Sequence, residues 1–219
     1  GDVKGIVPDD HIHVVANGID GPVTPIDRSA LDPDEPPVLL YLSNIVPDKG
    51  IFILLDALKM LVADGMAFQT RFAGAPGDPD TMNAFEKACA QPELRDHVTY
   101  LGIVVGAEKD RLFRDADIFV MPTLFDAFPL VALEAMAYTL PVVCSEEGSL
   151  PDIVQDGTTG TLVEKGQPEA LATALKSLLV DSERRRRMGE AGFRRYEENF
   201  TLARFESNLA DMLDACLAA

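Results

Sequence analysis

The sequence predicts an α/β fold: a Rossmann-like, doubly wound parallel sheet with helices on both faces. From residue 38 onward, short apolar runs alternate with longer segments of helical periodicity, which is typical of repeated β–α units. The runs Val38–Leu42 and Ile118–Met121 contain no charged residue, as expected for strands that are covered on both faces. With 219 residues, the chain can bury a sizeable core.

The chain divides into three predicted parts. Residues 1–37 are a linker, with a short strand at His11–Val15, a turn at Asn17-Gly18 and a Pro- and Asp-rich stretch up to the first long strand. Residues 38–200 form the α/β domain. Residues 201–219 are a final helix, which Thr201 caps and whose apolar residues recur every three or four positions.

Within the domain, apolar runs predict the strands and amphipathic segments predict the helices. Pro129 and Pro168 suit first helical positions, and Thr81 or Asp80 suits an N-cap. The predicted strands are Val38–Leu42, Phe68–Ala73, His97–Leu101, Ile118–Met121, Val142–Val143 and Gly160–Val163. The predicted helices are Ile51–Ala63, Thr81–Ala90, Ala107–Arg114, Leu130–Tyr138, Leu150–Val154, Pro168–Val180, Glu183–Glu198 and Thr201–Leu217.

Composition and charge argue against a nucleic acid partner. The chain is 47% hydrophobic and 25% charged, and its net charge is −17, so it would repel a polyanion that met no concentrated basic patch. The one basic cluster, Arg184–Arg187, lies between acidic residues on a predicted helix. It is interpreted as a solvated helix face.

The remaining totals indicate a cytoplasmic protein without a metal centre. The three cysteines contain no CxxC pair, which is typical of ordinary thiols in a reducing compartment. His11 and His13 flank one residue of the predicted first strand, so they are poor metal ligands. No apolar run approaches the length of a membrane span, and the first residues do not resemble a signal peptide.

The chemistry is predicted to centre on the loop and helix that follow the strand Ile118–Met121. Asp126 lies in the loop and Glu134 in the early turns of the helix. An acid at the carboxyl end of a strand, beside a helix N-terminus, is where an open α/β sheet places its ligands. Backbone N–H groups between Phe128 and Val131 can receive a phosphate there.

The same residues resemble a known enzyme family. Two acids eight positions apart around Phe128-Pro129-Leu130-Val131, followed by Glu134-Ala135-Met136-Ala137 and Pro141-Val142-Val143, resemble the Glu-x7-Glu signature of retaining GT-B glycosyltransferases of family 4. Asp126 stands where this family has Glu, and Thr139 where it usually has Gly. The resemblance covers most of the chain.

The resemblance also implies how the chain relates to a complete enzyme. Val15–Asp20 is similar to the segment at the junction between the two GT-B domains. A complete enzyme needs another domain of similar size before that junction. The chain is therefore expected to be the carboxyl-terminal, donor-binding half, with the N-terminal acceptor-binding domain absent from it.

By resemblance, two groups of residues would contact the phosphates and the base of a nucleotide-sugar donor. Lys49 would contact the diphosphate, although it can also be a surface lysine at a helix start. Asn44 occupies the place of the basic residue that the family pairs with this lysine. Gly74 and Gly102 each follow the end of a predicted strand, where a glycine most often serves only to form a turn. The resemblance instead places both glycines near the donor, with Ile103 against the base.

Glu134 and Asp126 would contact the sugars. Glu134 lies on a helix that is apolar nearly all round, and a buried carboxylate needs a partner; by resemblance, that partner is the ribose hydroxyl pair. Asp126 would lie against the donor sugar as the catalytic-site acid. The alternative for Asp126 is a loop residue or the N-cap of the helix that begins near Pro129.

The resemblance implies the donor-binding domain of a retaining glycosyltransferase that transfers a sugar from a nucleoside diphosphate sugar to an acceptor. It implies no cofactor and no metal, because amides and basic side chains would hold the diphosphate. The isolated half is expected to bind donor and to turn over little. One alternative is a non-catalytic nucleotide-binding or interaction domain; another is a GT-B phosphorylase, whose cofactor-anchoring lysine has no evident motif here.

Overall fold

The computed structural model describes residues 12–22, 24–27 and 35–218. The described part contains six β-strands, eight α-helices and a short 3-10 helix at Pro47–Lys49. The strands are β1 (Val38–Leu42), β2 (Gln69–Ala73), β3 (Val98–Tyr100), β4 (Ile118–Met121), β5 (Val142–Ser145) and β6 (Gly160–Val163). The helices are α1 (Ile51–Ala63), α2 (Pro79–Cys89), α3 (Gly106–Asp115), α4 (Leu130–Ala137), α5 (Leu150–Ile153), α6 (Pro168–Leu179), α7 (Ser182–Asn199) and α8 (Leu202–Ala218).

All six strands form one parallel sheet in the order β3-β2-β1-β4-β5-β6. The chain therefore winds outward from β1 in one direction through β3, and from β4 in the other direction through β6. This order confirms the predicted doubly wound, Rossmann-like sheet. Because the strands are parallel, every loop after a strand lies at the same edge of the sheet.

Two hydrophobic cores lie on opposite faces of the sheet, and the side chains of each central strand alternate between them. Leu39 and Tyr41 of β1 enter one core, where α1, α2 and α6 pack, and Leu40 enters the other, where α3, α4, α5 and α7 pack. In β4 and β5 every residue is buried. This explains why β4 reads as a continuous apolar run and why β5 is apolar up to the buried Ser145.

Three predictions at the margins of the fold were wrong. Residues 12–15 form no strand, and no turn forms at Asn17-Gly18; His11 lies outside the described residues. The N-cap of α2 is Asp78, which accepts hydrogen bonds from the backbone N–H groups of Asp80 and Thr81. Asp78 is followed by Pro79, whose fixed φ and missing N–H suit a first helical position.

The linker returns to the domain beside the last helix. Ile19 forms a parallel bridge with Thr201, with 2.9 Å bonds from Ile19 N to Phe200 O and from Leu202 N to Ile19 O. A Cβ on Gly18 would lie 2.3 Å from the Thr201 oxygen, so the absence of a side chain permits this approach. Thr201 caps α8 through its Oγ1, as predicted, and none of the side chains described in α8 is buried.

Candidate functional site

The strand order reverses between β1 and β4, and the loops after these two strands, residues 43–50 and 122–129, diverge there to opposite faces. Such a switch point opens a crevice at the carboxyl edge of a parallel sheet, where α/β proteins bind ligands. Backbone bonds tie the two loops together: the Asp48 carbonyl accepts from Leu124 N at 2.8 Å and Phe125 N at 3.2 Å. The base of the crevice is therefore a fixed backbone structure.

Lys49 and Asp126 meet across this crevice. Lys49 Nζ lies 2.5 Å from Asp126 Oδ2 and 3.1 Å from the Phe125 carbonyl oxygen. Their side chains are 24% and 18% exposed, so the pair is largely shielded from solvent and still accessible to it. The structure thus brings together two residues that lie 77 positions apart in the sequence.

Gly50 makes this approach sterically possible. Its φ is 73°, in the left-handed region, and a Cβ at this position would lie 1.8 Å from the Pro122 oxygen. The chain could not turn from Lys49 into α1 this close to the β4 loop with any other residue. Gly50 was not among the predicted site residues, although its place between a loop lysine and a helix was a usable signal.

The N-terminus of α4 opens beside the same loop. Pro129 is its N-cap, so the prediction that Pro129 is the first helical residue was wrong by one position. No described side chain caps the helix, so Asp126 is not its N-cap. The first N–H groups of a helix lack intrahelical partners. Leu130 and Val131 carry such N–H groups, Pro129 has none, and Phe128 precedes the helix.

Glu134 forms an ion pair that sequence reasoning missed. Lys109 of α3 places its Nζ 2.7 Å from Glu134 Oε1, and the two side chains are 28% and 27% exposed. The pair lines a cleft of about 330 Å³ between the linker and helices α3 and α4. Its lining is Ile19, Asp20, Gly21, Pro22, Gly106, Lys109, Asp110, Phe113, Glu134, Ala137 and Tyr138. No sequence motif marks Lys109, because only the packing of α3 on α4 brings it to Glu134.

The remaining predicted residues follow β1, β2 and β3 at the same sheet edge. Gly74 has a φ of 148°, and a Cβ on it would lie 1.9 Å from the Ser43 oxygen, so close packing of the loops requires glycine. Gly74 N also donates to the Gly102 oxygen at 2.8 Å. Gly102 turns with a φ of 71°, and Ile103 beyond it is 66% exposed. Asn44 is exposed.

A second cavity, of about 380 Å³, lies between residues 25–27 and α7. None of the predicted donor-site residues lines it. Thr139, which stands where the resembled family usually has Gly, lies at its wall and adopts a φ of 61°. Its Oγ1 accepts a 2.9 Å hydrogen bond from Ile26 N, so this threonine fastens the linker to the domain.

The basic cluster in α7 is engaged within the protein. Arg186 pairs with Glu183 and Glu190 at 2.6 and 2.5 Å. Arg185 donates to two backbone carbonyls at the end of α6 and lies 3.8 Å from Asp117 Oδ1. The interpretation as a solvated face was therefore wrong for Arg185, whose side chain is only 14% exposed because it bonds the end of α6. It holds for Arg186 and Arg187, which are 47% and 59% exposed.

The described residues contain neither a metal-binding cluster nor a membrane-spanning helix. No group of three or more His, Cys, Asp or Glu side chains there could hold a metal ion. No helix in the described part is long and apolar enough to cross a membrane. The metal-independent chemistry and the cytoplasmic location both stay predictions.

Comparison with known proteins identifies the family. The family model for glycosyl transferases group 1 matches residues 23–195. This chain belongs to the glycosyl transferases group 1 family. The group 1 assignment agrees with the resemblance carried by Asp126 and Glu134, whereas membership of family 4 and the retaining stereochemistry stay predictions.

Similar proteins include enzymes about twice as long as this chain. Alpha-maltose-1-phosphate synthase of Mycolicibacterium smegmatis is 33% identical over 214 residues, which cover 89% of this chain and 54% of the synthase. Sucrose-phosphate synthase from Thermosynechococcus elongatus is 28% identical with a TM-score of 0.76, over 86% of this chain and 47% of the other. The chain therefore spans about half the length of these relatives.

One further solved structure shows the fold. Anabaena Alr3699/HepE, crystallised in complex with UDP, matches with a TM-score of 0.74 at 22% identity, over 81% of this chain and 48% of the other. The six-stranded parallel sheet of the group 1 chain thus has the architecture of GT-B glycosyltransferase structures.

Proposed function

We propose that this chain is the carboxyl-terminal, nucleotide-sugar-binding half of a retaining, metal-independent group 1 glycosyltransferase. The complete protein would transfer a sugar from a nucleoside diphosphate sugar to an acceptor. The observation that carries the proposal is the Lys49–Asp126 pair at the switch point, beside the uncapped N-terminus of α4. Together they provide a cation, free amides and a carboxylate within one crevice.

The diphosphate would bind between Lys49 and the start of α4. An ammonium group has three N–H donors, and two of those of Lys49 point to the Phe125 oxygen and to Asp126. The third would reach a phosphate oxygen without breaking the ion pair. The amides of Leu130 and Val131 and the positive end of the helix dipole would supply the remaining stabilisation of an anion.

This arrangement favours departure of the diphosphate. As the bond between the sugar and the diphosphate breaks, negative charge grows on the leaving oxygen and positive charge on the sugar ring. Lys49 and the α4 amides are fixed before the reaction, so they stabilise that negative charge without reorganisation. Asp126, which Lys49 holds in place, would accept a hydroxyl hydrogen bond from the sugar or face the positive charge on its ring.

The nucleoside would extend away from the phosphates toward the loop after β3. Glu134 would accept hydrogen bonds from the ribose hydroxyls, and the backbone at Gly74 and Gly102 would approach the donor. Ile103, which is exposed, would pack on a face of the base. Because these contacts to the base involve backbone and an apolar side chain, they leave its identity to experiment.

Calorimetric titration of the chain with UDP, GDP and ADP tests the proposal, and UDP comes first because the Anabaena protein was crystallised with it. One nucleotide is expected to bind in the micromolar-to-millimolar range, and Glu134→Ala is expected to abolish this binding. Glu190→Ala is the matched control, because it also removes an ion-paired glutamate on a helix, outside the candidate site. Absence of binding by all three nucleotides at about 10 mM, where a site is worth only about 3 kcal/mol, would contradict a donor site in this chain.

A second candidate is a non-catalytic nucleotide-binding or interaction domain. Asn44, which is exposed and uncharged, stands in the place of a basic residue, and Asp126 is one methylene shorter than Glu. Turnover of a nucleotide sugar by a protein that contains this chain and an acceptor-binding half would decide between the two. Nucleotide binding without any turnover would favour the non-catalytic domain.

A further inference from the structure

Lys109 forms an ion pair that is outside the roles proposed above. It lies in α3, on a different β–α unit from Glu134, and crosses to it with a 2.7 Å bond from Nζ to Oε1. In the described part of the chain, the other oxygen of Glu134 accepts no hydrogen bond from protein. A carboxylate has about four lone-pair sites, so Glu134 retains most of its capacity to accept.

The ammonium group of Lys109 lies over a layer of packed aromatic rings. Its Nζ is 6.0 Å from the centroid of the Phe113 ring, within reach of a cation–π attraction. Phe113 in turn stacks on Tyr138, with centroids 5.1 Å apart and ring planes 17° apart. Both rings are buried. They fix the direction from which Lys109 approaches Glu134.

Lys109 also balances the charge of the cleft. Three carboxylates line the cleft, those of Asp20, Asp110 and Glu134, and Lys109 is the one basic side chain among its described lining residues. The whole chain carries a net charge of −17. Without Lys109, a nucleoside diphosphate would therefore approach a cleft with three negative charges and no positive one.

We propose that Lys109 is a positioning residue of the donor site, which orients Glu134 as the acceptor for the ribose hydroxyls. Lys109 holds one carboxylate oxygen and leaves the other for the ligand, and its charge offsets the acidic wall formed by Asp20 and Asp110. The inference rests on the proposed function, because it assigns a partner to the carboxylate proposed to bind ribose.

The inference predicts that recognition of the ribose hydroxyls depends on Lys109. A hydrogen bond from a hydroxyl group to a carboxylate contributes more to affinity where the acceptor oxygen is already held in place, because less side-chain freedom is lost on binding. The wild-type chain should therefore bind a ribonucleotide more tightly than the same nucleotide lacking the 2′- or the 3′-hydroxyl. Loss of one hydrogen bond to a charged group corresponds to about a tenfold weaker affinity.

The experiment measures Kd by calorimetry for the ribonucleoside diphosphate that binds the wild-type chain, and for its 2′-deoxy and 3′-deoxy forms. Lys109→Met is expected to weaken ribonucleotide binding about tenfold and to bring the Kd values of the three nucleotides close together. Lys109→Arg, which keeps the charge, is expected to retain the preference. Lys176→Met is the matched control, because Lys176 of α6 also pairs with a distant carboxylate, that of Asp64 at the end of α1, at 2.6 Å. It should change neither the Kd values nor their ratio.

Each outcome bears on a separate claim. If Lys109→Met binds nucleotide and keeps the wild-type ratio between ribose and deoxyribose forms, Lys109 does not position Glu134 and the inference is overturned. If the wild-type chain binds none of the nucleotides, the proposed function fails and the inference fails with it. Circular dichroism melting of each variant shows whether a loss of binding reflects a loss of fold.

Discussion

Replacing Gly50 with alanine tests the backbone contact that places Lys49 at the switch point. A non-glycine residue in the left-handed region costs about 1–2 kcal/mol. The new Cβ would also lie 1.8 Å from the Pro122 oxygen and 2.6 Å from its carbonyl carbon, so the two loops would have to separate. Such overpacking typically costs a further 1–3 kcal/mol, roughly.

Gly65→Ala is the matched control for this prediction. Gly65 has a φ of 70°, nearly the same as the 73° of Gly50, and no described atom lies within 4 Å of a Cβ built on it. Both variants lose the same unfolded-state entropy and acquire similar backbone strain. The difference between their free energies of unfolding therefore isolates the contact with Pro122.

Urea denaturation gives the free energy of unfolding of each variant, and the two values are compared directly when the fitted m-values agree. Gly50→Ala is expected to be less stable than Gly65→Ala by about 1–3 kcal/mol. Nucleotide affinity provides a second measurement, because separation of the loops would move Lys49 away from Asp126 only in the Gly50 variant. Equal destabilisation of the two variants would refute the argument that this contact fixes the crevice.

Two further predictions concern charge and pH. Arg185→Gln should lower the free energy of unfolding, measured by urea denaturation, by about 2 kcal/mol, because Arg185 bonds two carbonyls at the end of α6 and lies 3.8 Å from Asp117. The control is Arg187→Gln: the Arg187 side chain is 59% exposed, so this change should lower it by less than about 0.5 kcal/mol. Equal losses in the two variants would contradict the structural role of Arg185. Burial, with a hydrogen bond to Asp110, raises the pKa of Tyr138 to about 12, and burial also raises the pKa of Tyr41. Above the unfolded-state tyrosine pKa near 10, the unfolded chain releases protons that the folded state still holds. The stability contributed by these groups is therefore complete below pH 10 and falls as the pH rises toward 12. Thermal melts from pH 9 to 12, with absorbance at 295 nm to follow tyrosine ionisation, measure this loss, and a constant Tm would contradict it.

The sequence predicted the sheet well because the apolar composition of each central strand directly indicates that the strand is buried. Val38–Leu42 and Ile118–Met121 are covered on both faces, so their local composition is decisive. The sheet prediction needs only the period of the pattern and the direction of the strands. The assignment of Lys49 and Asp126 to one donor site came from the resemblance to GT-B glycosyltransferases. The structure places the two side chains in contact, but their role in donor binding stays a prediction.

Lys109 shows what local patterns cannot predict. It lies in a run of charged residues, Glu108-Lys109-Asp110-Arg111, which is indistinguishable from an ordinary solvated helix face. Its pairing with Glu134 depends on how α3 packs against α4, and that packing is set by many side chains together. The Asp78 N-cap was a different kind of error, because the Asp78-Pro79 pair was a readable local signal.

The bridge between Ile19 and Thr201 has a consequence for domain exchange. The chain passes into the α/β domain and out of it through one seam, where the Tyr196 hydroxyl donates to the Ile19 oxygen at 3.1 Å. Two further hydrogen bonds across this seam join main-chain atoms. Such bonds do not depend on which side chains a homologous protein carries on either side. A cassette from Gly18 to Thr201 keeps both the glycine that allows the close approach and Tyr196, so it is expected to close in the same way after transplantation between members of the group 1 family.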